Sequence, residues 1–504
     1  MKHNPSTSIS GIIAKRQIAL LCFFSIAGAA LAQNGSPIAA NQNQPKAPVL
    51  QEAQAAVPVL LISDIHFEPF WDPAKVPQLA AAPIDQWKAI FSARSSPDQP
   101  QRFAALQQAC HAGGADTSFA LFDSSLKAMR SHASGVRFVA MSGDLISHAF
   151  QCKYNALIPN STPEAYTALV EKTLDYVIEE LDKSFPGVPV FVAMGNNDSD
   201  CGDYRLDAHS EFLRVTSKEV TRDFPASERT AAEESFAAGG YYSVSLPAPI
   251  ANTRLLVLND IFMSSNYSTC AGKPDVGAAE AQFSWLRQRL AEARAGKQKI
   301  WVMGHIPPGV DLYSTASRMR DVCGGQSPVM FLESEKLANV LAEYGDVVEL
   351  AIFAHTHMDE LRLLKPGAAA GKSVGVKLVP SVSPIHGNHP SMTLAQMDPT
   401  TAALVDYKVF AASNQTGVDA TWDEEYDFAR SFHEAGFTSA SIGQLIGEFA
   451  ADPDAKTQAS QSYIEDFSVR YASPLLRLAW PEYVCTLTNY TAESFRSCVC
   501  PARP

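Results

Sequence analysis

The chain has 504 residues, 46% of them hydrophobic and 18% charged, with a formal net charge of −13. This is ordinary globular composition, with enough apolar residue for a large core and enough length for two or more domains. The acidic balance argues against duplex nucleic acid or anionic lipid as a charge-driven partner; it does not argue against a phosphorylated substrate held by metals.

Residues 1–32 read as a secretory signal. Lys2, Lys15 and Arg16 give a basic start, Ile18 to Ala29 is an apolar stretch too short to span a bilayer, and Ala30-Leu31-Ala32 fits a small-x-small cleavage site. A membrane anchor is the rival reading, and the length rule weighs against it. No later stretch is long and apolar enough to span, so the mature protein is expected to be secreted or otherwise extracytoplasmic, with no stable membrane anchor. Cys22 leaves with the signal. Eight cysteines remain, an even count that favours disulfides in an exported chain. Cys270–Cys323 and Cys485 with Cys498 or Cys500 are the pairings considered, and sequence does not decide them. A thiolate metal site is the alternative, but no CxxC pair supports it. Residues 33–56, rich in Gln, Asn, Ala and Pro, are expected to be a disordered linker.

The core begins at Val57. Leu60-Leu61-Ile62 runs into Ser63-Asp64-Ile65-His66, so an apolar run ends in a carboxylate and an imidazole two positions apart. In an extended segment these two side chains point to one side. Phe67 to Gly114 is a Pro-rich insertion with Trp71 and Trp87, read either as a wall of the site or as a surface excursion. Thr117 to Ser131 is a predicted helix, and Val136 to Met141 a strand that ends in Ser142-Gly143-Asp144. Thr162-Pro163-Glu164 is a strong helix start, with Thr as N-cap and Pro at the first position. Val170, Leu174, Val177 and Leu181 form the apolar stripe of that helix.

Val188 to Met194 ends in Gly195-Asn196-Asn197-Asp198. Cys201 to Gly240 reads as a helical excursion; Tyr241–Leu246 and Arg254–Leu258 read as paired strands. A helix over Ala278–Ala295 feeds a strand ending in Gly304-His305, and one over Glu333–Tyr344 feeds a strand ending in Ala354-His355-Thr356-His357. Val374 to Pro380 runs into Ser381-Val382-Ser383-Pro384-Ile385-His386. Met392–Met397 and Ala403–Phe410 close the set as strands. From Thr421 onward the pattern reads as helical, with no cluster of metal ligands.

Short, continuous apolar strands are buried on both faces, and α/β folds collect their sites at the carboxyl ends of such strands. Each motif alone is weak, since a lone histidine is more often a satisfied core residue than a ligand. Seven residues placed alike form a pattern: Asp64, His66, Asp144, Asn196, His305, His355 and His357 are candidate metal ligands. Mixed imidazole and oxygen donors suit zinc, manganese or iron.

The series Asp-x-His, Gly-Asp, Gly-Asn, Gly-His and His-x-His resembles the calcineurin-like metallophosphoesterase superfamily. Gly143-Asp144-Leu145-Ile146-Ser147-His148, Gly304-His305-Ile306-Pro307-Pro308-Gly309 and His355-Thr356-His357-Met358-Asp359-Glu360 resemble its acid sphingomyelinase-like phosphodiesterase branch. The resemblance covers 57–410 and implies a four-layer α/β/β/α sandwich; a helical, cysteine-containing C-terminal domain over 411–504 is similar to that branch more loosely. It also implies two divalent metal ions, with zinc expected first. One would be held by Asp64, His66, Asp144 and His357. The other would be held by Asp144, Asn196, His305 and His355, with Asp144 bridging. Two such ions clamp a phosphoryl group and activate a water for in-line attack.

The chain departs from the family after Gly-Asn, where a histidine usually stands and this sequence has Asn197. An amide cannot supply the leaving group with a proton, so His148 is the candidate acid. A phosphate contact or a structural place are the other readings of His148. The stretch with His386, Asn388 and His389 resembles the family's substrate-side loop, or is a plain turn. Asp198, Asp200 and Asp203 read as a solvated acidic loop, Asp198 with the option of orienting a ligand.

These features imply an exported phosphodiesterase acting on a lipid head group, a nucleotide or polyphosphate. The Gly-Asn-Asn-Asp variant also resembles that of endopolyphosphatases, which keeps an endopolyphosphatase or nucleotide phosphohydrolase as the alternative. A catalytically weak metal- or phosphate-binding protein is the reading from another class. Six Asn-x-Ser/Thr sites (Asn34, Asn160, Asn197, Asn266, Asn414, Asn489) matter only if the source glycosylates.

Overall fold

The computed structural model describes residues 55–366, 372–470 and 474–500. The expected signal over 1–32 and all but the last two positions of the expected linker lie outside these residues.

Among the described residues, twelve strands form two six-stranded mixed sheets. They are β1 (Val57–Ile62), β2 (Val139–Met141), β3 (Val190–Val192), β4 (Tyr242–Ser245), β5 (Thr253–Val257), β6 (Lys299–Met303), β7 (Val348–Phe353), β8 (Glu360–Leu364), β9 (Val374–Leu378), β10 (Ser391–Met397), β11 (Leu404–Ala412) and β12 (Trp422–Asp427). The first sheet has the order β12-β11-β10-β1-β2-β3, the second β4-β5-β6-β7-β9-β8. Strands β1, β2 and β3 run parallel, as do β5, β6, β7 and β9. These are the strands whose carboxyl ends carry the motifs, and parallel pairing brings those ends to one edge of each sheet.

Side-chain alternation then builds the layers. In β5, β6 and β7, Leu255, Val257, Trp301, Met303, Leu350 and Ile352 belong to the core shared with the first sheet. Their neighbours Leu256, Ile300, Val302, Ala351 and Phe353 pack instead with helices Gly277–Ala295 and Lys336–Glu343. Helices Phe119–His132 and Pro163–Ser184 cover the first sheet. Thr162 caps the longer helix by accepting from the Ala165 N–H, with Pro163 at its first position. The result is an α/β fold of helices outside two packed sheets. Across the seam, the Trp301 indole N–H donates to the Ala402 carbonyl at 2.7 Å. The Tyr242 hydroxyl accepts from the Val192 N–H and donates to the Val192 carbonyl, completing the open edge of β3.

The C-terminal stretch differs from the expectation in two ways. It begins with strand β12, not a helix: Trp422 and Tyr426 are buried against the first sheet, where β11 supplies an open edge. It also shares the main core. Helices Ser439–Ala450, Gln458–Phe467 and Trp480–Thr486 bring Ile442, Phe449, Tyr463 and Trp480 into the cluster that holds β8 residues Leu361 and Leu363. Strand β8 is tied there by Leu363 N–H to the Leu487 carbonyl and Leu361 N–H to the Tyr463 hydroxyl.

Among the described residues four disulfides form: Cys110–Cys152, Cys201–Cys270, Cys323–Cys500 and Cys485–Cys498. The Cys270–Cys323 pairing is therefore wrong. Ser268 N–H donates to the Tyr204 carbonyl and Leu206 N–H to the Ser268 carbonyl, which draws the Cys201 loop against Cys270, and Cys323 lies against the end of the last helix, Ala492–Val499, next to Cys500.

One half-buried carboxyl in this region makes stability depend on pH. Asp466 has a side-chain oxygen that is buried and without a hydrogen-bond partner. Burial, then repulsion from Asp359, Glu425 and Glu465, pushes it up to about 8. Its folded value lies above that of the unfolded chain, so it contributes stability at low pH that is lost as pH rises towards 8. Asp466→Asn is expected to gain about 1–3 °C more in melting temperature over the parent at pH 8.5 than it does at pH 5. An equal shift at both pH values in thermal melts would refute this.

Candidate metal centre

Asp64, His66, Asp144, Asn196, His305, His355 and His357 all lie just past the ends of β1, β2, β3, β6 and β7, where the two sheets meet. The approach of Asp64 and His66 is not the extended one expected from sequence. Strand β1 ends at Ile62, and Asp64 and His66 both take left-handed backbone conformations, φ 44° and 45°. Asp144, His355 and His357 do the same at 57°, 71° and 64°. Each such conformation costs a non-glycine residue about 1–3 kcal/mol, and strain of this kind collects at functional sites. The adjoining segments hold it in place: Asp64 N–H donates to the Gly143 carbonyl at 3.0 Å and His66 N–H to the Asp144 carbonyl at 2.9 Å.

Glycine is required where these turns touch. Gly143 has φ +96°, and a Cβ there would sit 2.7 Å from His305 Nδ1 and 2.8 Å from the Gly195 nitrogen.

The polar atoms converge on two points that share Asp144. His66 Nε2 lies 3.4 Å from Asp144 Oδ2, 3.8 Å from Asp64 Oδ1 and 3.2 Å from His357 Nε2; His357 Nε2 is 3.5 Å from Asp64 Oδ1. His305 Nε2 lies 3.3 Å from Asp144 Oδ2 and 3.1 Å from Asn196 Oδ1. His355 groups with His305 and Asp144, their ligand atoms within 4.8 Å of one another. Two donors bound to one ion at about 2.1 Å stand about 3.0–3.5 Å apart at right or tetrahedral angles. Most of these spacings match that. Asp64 Oδ1 is buried, has no hydrogen-bond partner and faces three imidazoles. The donor set thus fits divalent cations.

The far sides of the ligands are fixed. His66 Nδ1–H donates to the Ile146 carbonyl at 3.0 Å and His305 Nδ1–H to that of Ser142 at 2.8 Å, so each presents Nε2. His355 Nε2 meets the Tyr204 hydroxyl at 3.1 Å, which leaves Nδ1 for the site. Asn196 donates through Nδ2 to Asp203 at 2.7 Å, turning its carbonyl oxygen inward. Asp198 is fully buried and not solvated; it accepts from Leu145, Ile146 and Gly195 N–H groups and joins the Asp144 and Asn196 turns. Asp260 does the same for His305 and Ile306.

Electrostatics separate the imidazoles. Burial pulls His66 down, but Asp144, Asp64 and Asp116 together lift it to about 9; the same opposition, led by Asp144, lifts His305 to about 10. Burial, with His305 next, lowers His355 to about 3, and burial beside His386 and His66 holds His357 well below its ordinary value. Burial raises Asp144, but His305 and His66 overcome it and hold the carboxylate well below its usual range.

Asn197 is turned inward onto Asp144. Its backbone N–H donates to Asp144 Oδ1 at 2.8 Å and its Nδ2 to Oδ2 at 2.9 Å, so it clamps the shared carboxylate. His148 comes to the rim: its ring stacks on His66 at 4.0 Å, its side chain is 30% exposed, and its Nδ1–H donates to Asp116 Oδ1 at 3.0 Å. His386 lies 4.5 Å from the His357 ring. Asn388 and His389 do not join them. Asn388 is buried and donates to Ser381 Oγ and the Ser383 carbonyl, while His389 bonds the Ala412 carbonyl, so both brace the loop.

Residues 57–359 match the calcineurin-like phosphoesterase family. The chain belongs to this family. It is a metal-dependent phosphoester hydrolase, and the family's fold carries a two-metal site. The chain is 26% identical over 457 residues to acid sphingomyelinase-like phosphodiesterase 3b of Mus musculus, covering 87% of this chain and 89% of that protein. It is 24% identical over 405 residues to cyclic GMP-AMP phosphodiesterase SMPDL3A of Mus musculus, covering 76% and 82%. It is 24% identical over 346 residues to sphingomyelinase phosphodiesterase C of Dictyostelium discoideum, covering 65% and 70%.

Asp116, Tyr204 and Asp260 escaped the sequence reading. Asp260 had a signal, since Leu255 to Leu258 is another apolar run ending in Asn259-Asp260. Asp116 and Tyr204 end no strand, and nothing in their local sequence marks them.

Proposed function

We propose that this calcineurin-like phosphoesterase is an exported phosphodiesterase of the acid sphingomyelinase-like group. The observation that carries the reading is the convergence of Asp64, Asp144 and four imidazoles from both sheets, at spacings that suit two cations. Asp64, His66, Asp144 and His357 would hold one cation; Asp144, Asn196, His305 and His355 would hold the other. Zinc fits the imidazole-rich set best, with manganese and iron as alternatives. When bound, the pair supplies positive charge to the phosphoryl oxygens and lowers the pKa of an attacking water. The residues do the rest. Asp144 is oriented by Asn197. Tyr204, Asp203 and the Ile146 and Ser142 carbonyls fix the ligand faces. His148, open to solvent at the rim, donates the proton to the leaving oxygen.

Export is supported by four disulfides and by the absence, among the described residues, of a helix long and apolar enough to cross a membrane. The relatives named for cyclic GMP-AMP and for sphingomyelin both act on diesters, which favours a diester here, either a nucleotide or a lipid head group. One observation favours polyphosphate as a second reading. Asn197 offers no transferable proton, and a phosphate leaving group needs none.

The test is hydrolysis of bis-p-nitrophenyl phosphate with added zinc or manganese and with chelator, followed by a panel of sphingomyelin, cyclic dinucleotide, nucleotide and polyphosphate. Turnover that chelator abolishes and metal restores is expected, with a diester the best substrate. A folded protein that binds two cations and turns over nothing on the panel would leave a metal- or phosphate-binding role in its place.

A further inference from the structure

We propose that Asp116 is a positioning residue that sets the ring orientation and tautomer of His148, an inference that rests on the role given to His148 above. Asp116 stands where the 67–114 insertion returns to the sandwich, and its side chain is 1% exposed. It grips one residue twice. Oδ2 accepts the His148 backbone N–H at 2.8 Å, and Oδ1 accepts Nδ1–H at 3.0 Å. The carboxylate is itself held, since Ser383 Oγ–H donates to Oδ1 at 3.1 Å and Lys153 Nζ lies 4.0 Å from Oδ2. Lys153 is buried and ion-paired to buried Glu68. The Cys110–Cys152 disulfide joins the insertion to the helix Phe150–Leu157 that carries Lys153. A buried carboxylate with this much support does not drift, so the ring it holds is pre-oriented.

The consequence is a fixed division of the ring nitrogens. The Nδ1 proton stays with Asp116, and Nε2 is the nitrogen free to meet substrate. In the step, the water oxygen forms a bond to phosphorus and gives up one proton to solvent, and the bond from phosphorus to the leaving oxygen breaks with its electron pair. That oxygen takes the Nε2 proton, leaving His148 neutral with Nδ1–H still on Asp116, and solvent returns the proton. A carboxylate that only stapled the insertion, the Ser383 loop and the helix together would have no bearing on which leaving groups react.

The experiment measures kcat/KM for methyl aryl phosphodiesters with leaving groups from p-nitrophenol to phenol, on parent, His148→Ala and Asp116→Asn, each with its metal content. For His148→Ala the loss should grow from about 10-fold or less with p-nitrophenol to about 10²–10³-fold with phenol, the range proton donation supplies. Asp116→Asn should steepen the series in the same sense by about 10–10²-fold at phenol. This slope does not depend on the fraction of folded enzyme. A second readout is free of turnover: in metal-free protein labelled with ¹⁵N-histidine, the protected Nδ1 proton of His148 should be lost in Asp116→Asn. If His148→Ala steepens the series while Asp116→Asn lowers all substrates equally, the inference is overturned and the role of His148 survives. If His148→Ala leaves the slope unchanged, both fall. Should Asp116→Asn not fold, Ser383→Ala decides, with a smaller shift in the same direction expected and an unchanged slope overturning the proposal.

Discussion

Replacing Asp144 with Asn is expected to lower metal-dependent turnover by at least about 10³-fold and to reduce bound metal from two ions per chain to one or fewer. Loss of one hydrogen-bond donor to a developing charge already costs about 10²–10³-fold. Asp144 does more than such a donor, because its Oδ2 faces both His66 Nε2 and His305 Nε2 and so serves both cation positions. The exchange is not a neutral one at the carboxylate either. Both oxygens accept from Asn197, one from its backbone N–H and one from its amide. Whichever way an asparagine at 144 is turned, its NH₂ meets a donor. Metal analysis beside steady-state rates checks this; near-normal turnover with two ions bound would remove Asp144 from the centre of the site.

Gly143→Ala is the second large effect. The new methyl would lie 2.7 Å from His305 Nδ1, 2.8 Å from the Gly195 nitrogen and 2.9 Å from its Cα, on a backbone at φ +96°. The left-handed conformation alone costs an alanine about 1–3 kcal/mol, and two of the three neighbours are backbone, which gives way only by moving the turn. Relief therefore pushes apart the His305 and Asn196 turns, which serve one cation position. Turnover should fall about 10²-fold or more and one metal ion should be lost, while the sheets, built on residues elsewhere, still fold. Wild-type rates and metal content in a variant with normal circular dichroism would show the turns are not in the contact described.

Much of this site is visible in the sequence because a strand buried on both faces has to be continuously apolar. A polar residue at its end then stands out, as Asp64, Asp144, Asn196, His305 and His355 do. Direction was less legible. The i, i+2 rule brought Asp64 and His66 to the same side for the wrong reason, since paired left-handed turns and not an extended segment place them there. Partners distant in the chain left no local mark. Asp116 reaches His148 across 32 positions and Tyr204 reaches His355 across 151, and only folding brings them together. The same limit applies to Cys201–Cys270, which follows from backbone pairing around Ser268 and not from spacing. Trp422–Asp427 was misread because its aromatic residues fit a helical stripe as readily as an edge strand, and the open edge of β11 made the choice. In the loop after β9, three polar residues looked alike; tertiary contacts turned Asn388 and His389 to bracing and left His386 beside His357.

The candidate ligands are divided between the sheets, with Asp64, His66, Asp144 and Asn196 on the first and His305, His355 and His357 on the second. His66 and His357 meet although 291 positions separate them. A ribosome that has not passed residue 355 has not yet made the parts of either complete pocket, and a product truncated before that point can never assemble one. Metal uptake in this chain is thus a late event in synthesis: the pair of ions can be captured only by a polypeptide that has been translated past His357, beyond β7, and has brought its two sheets together.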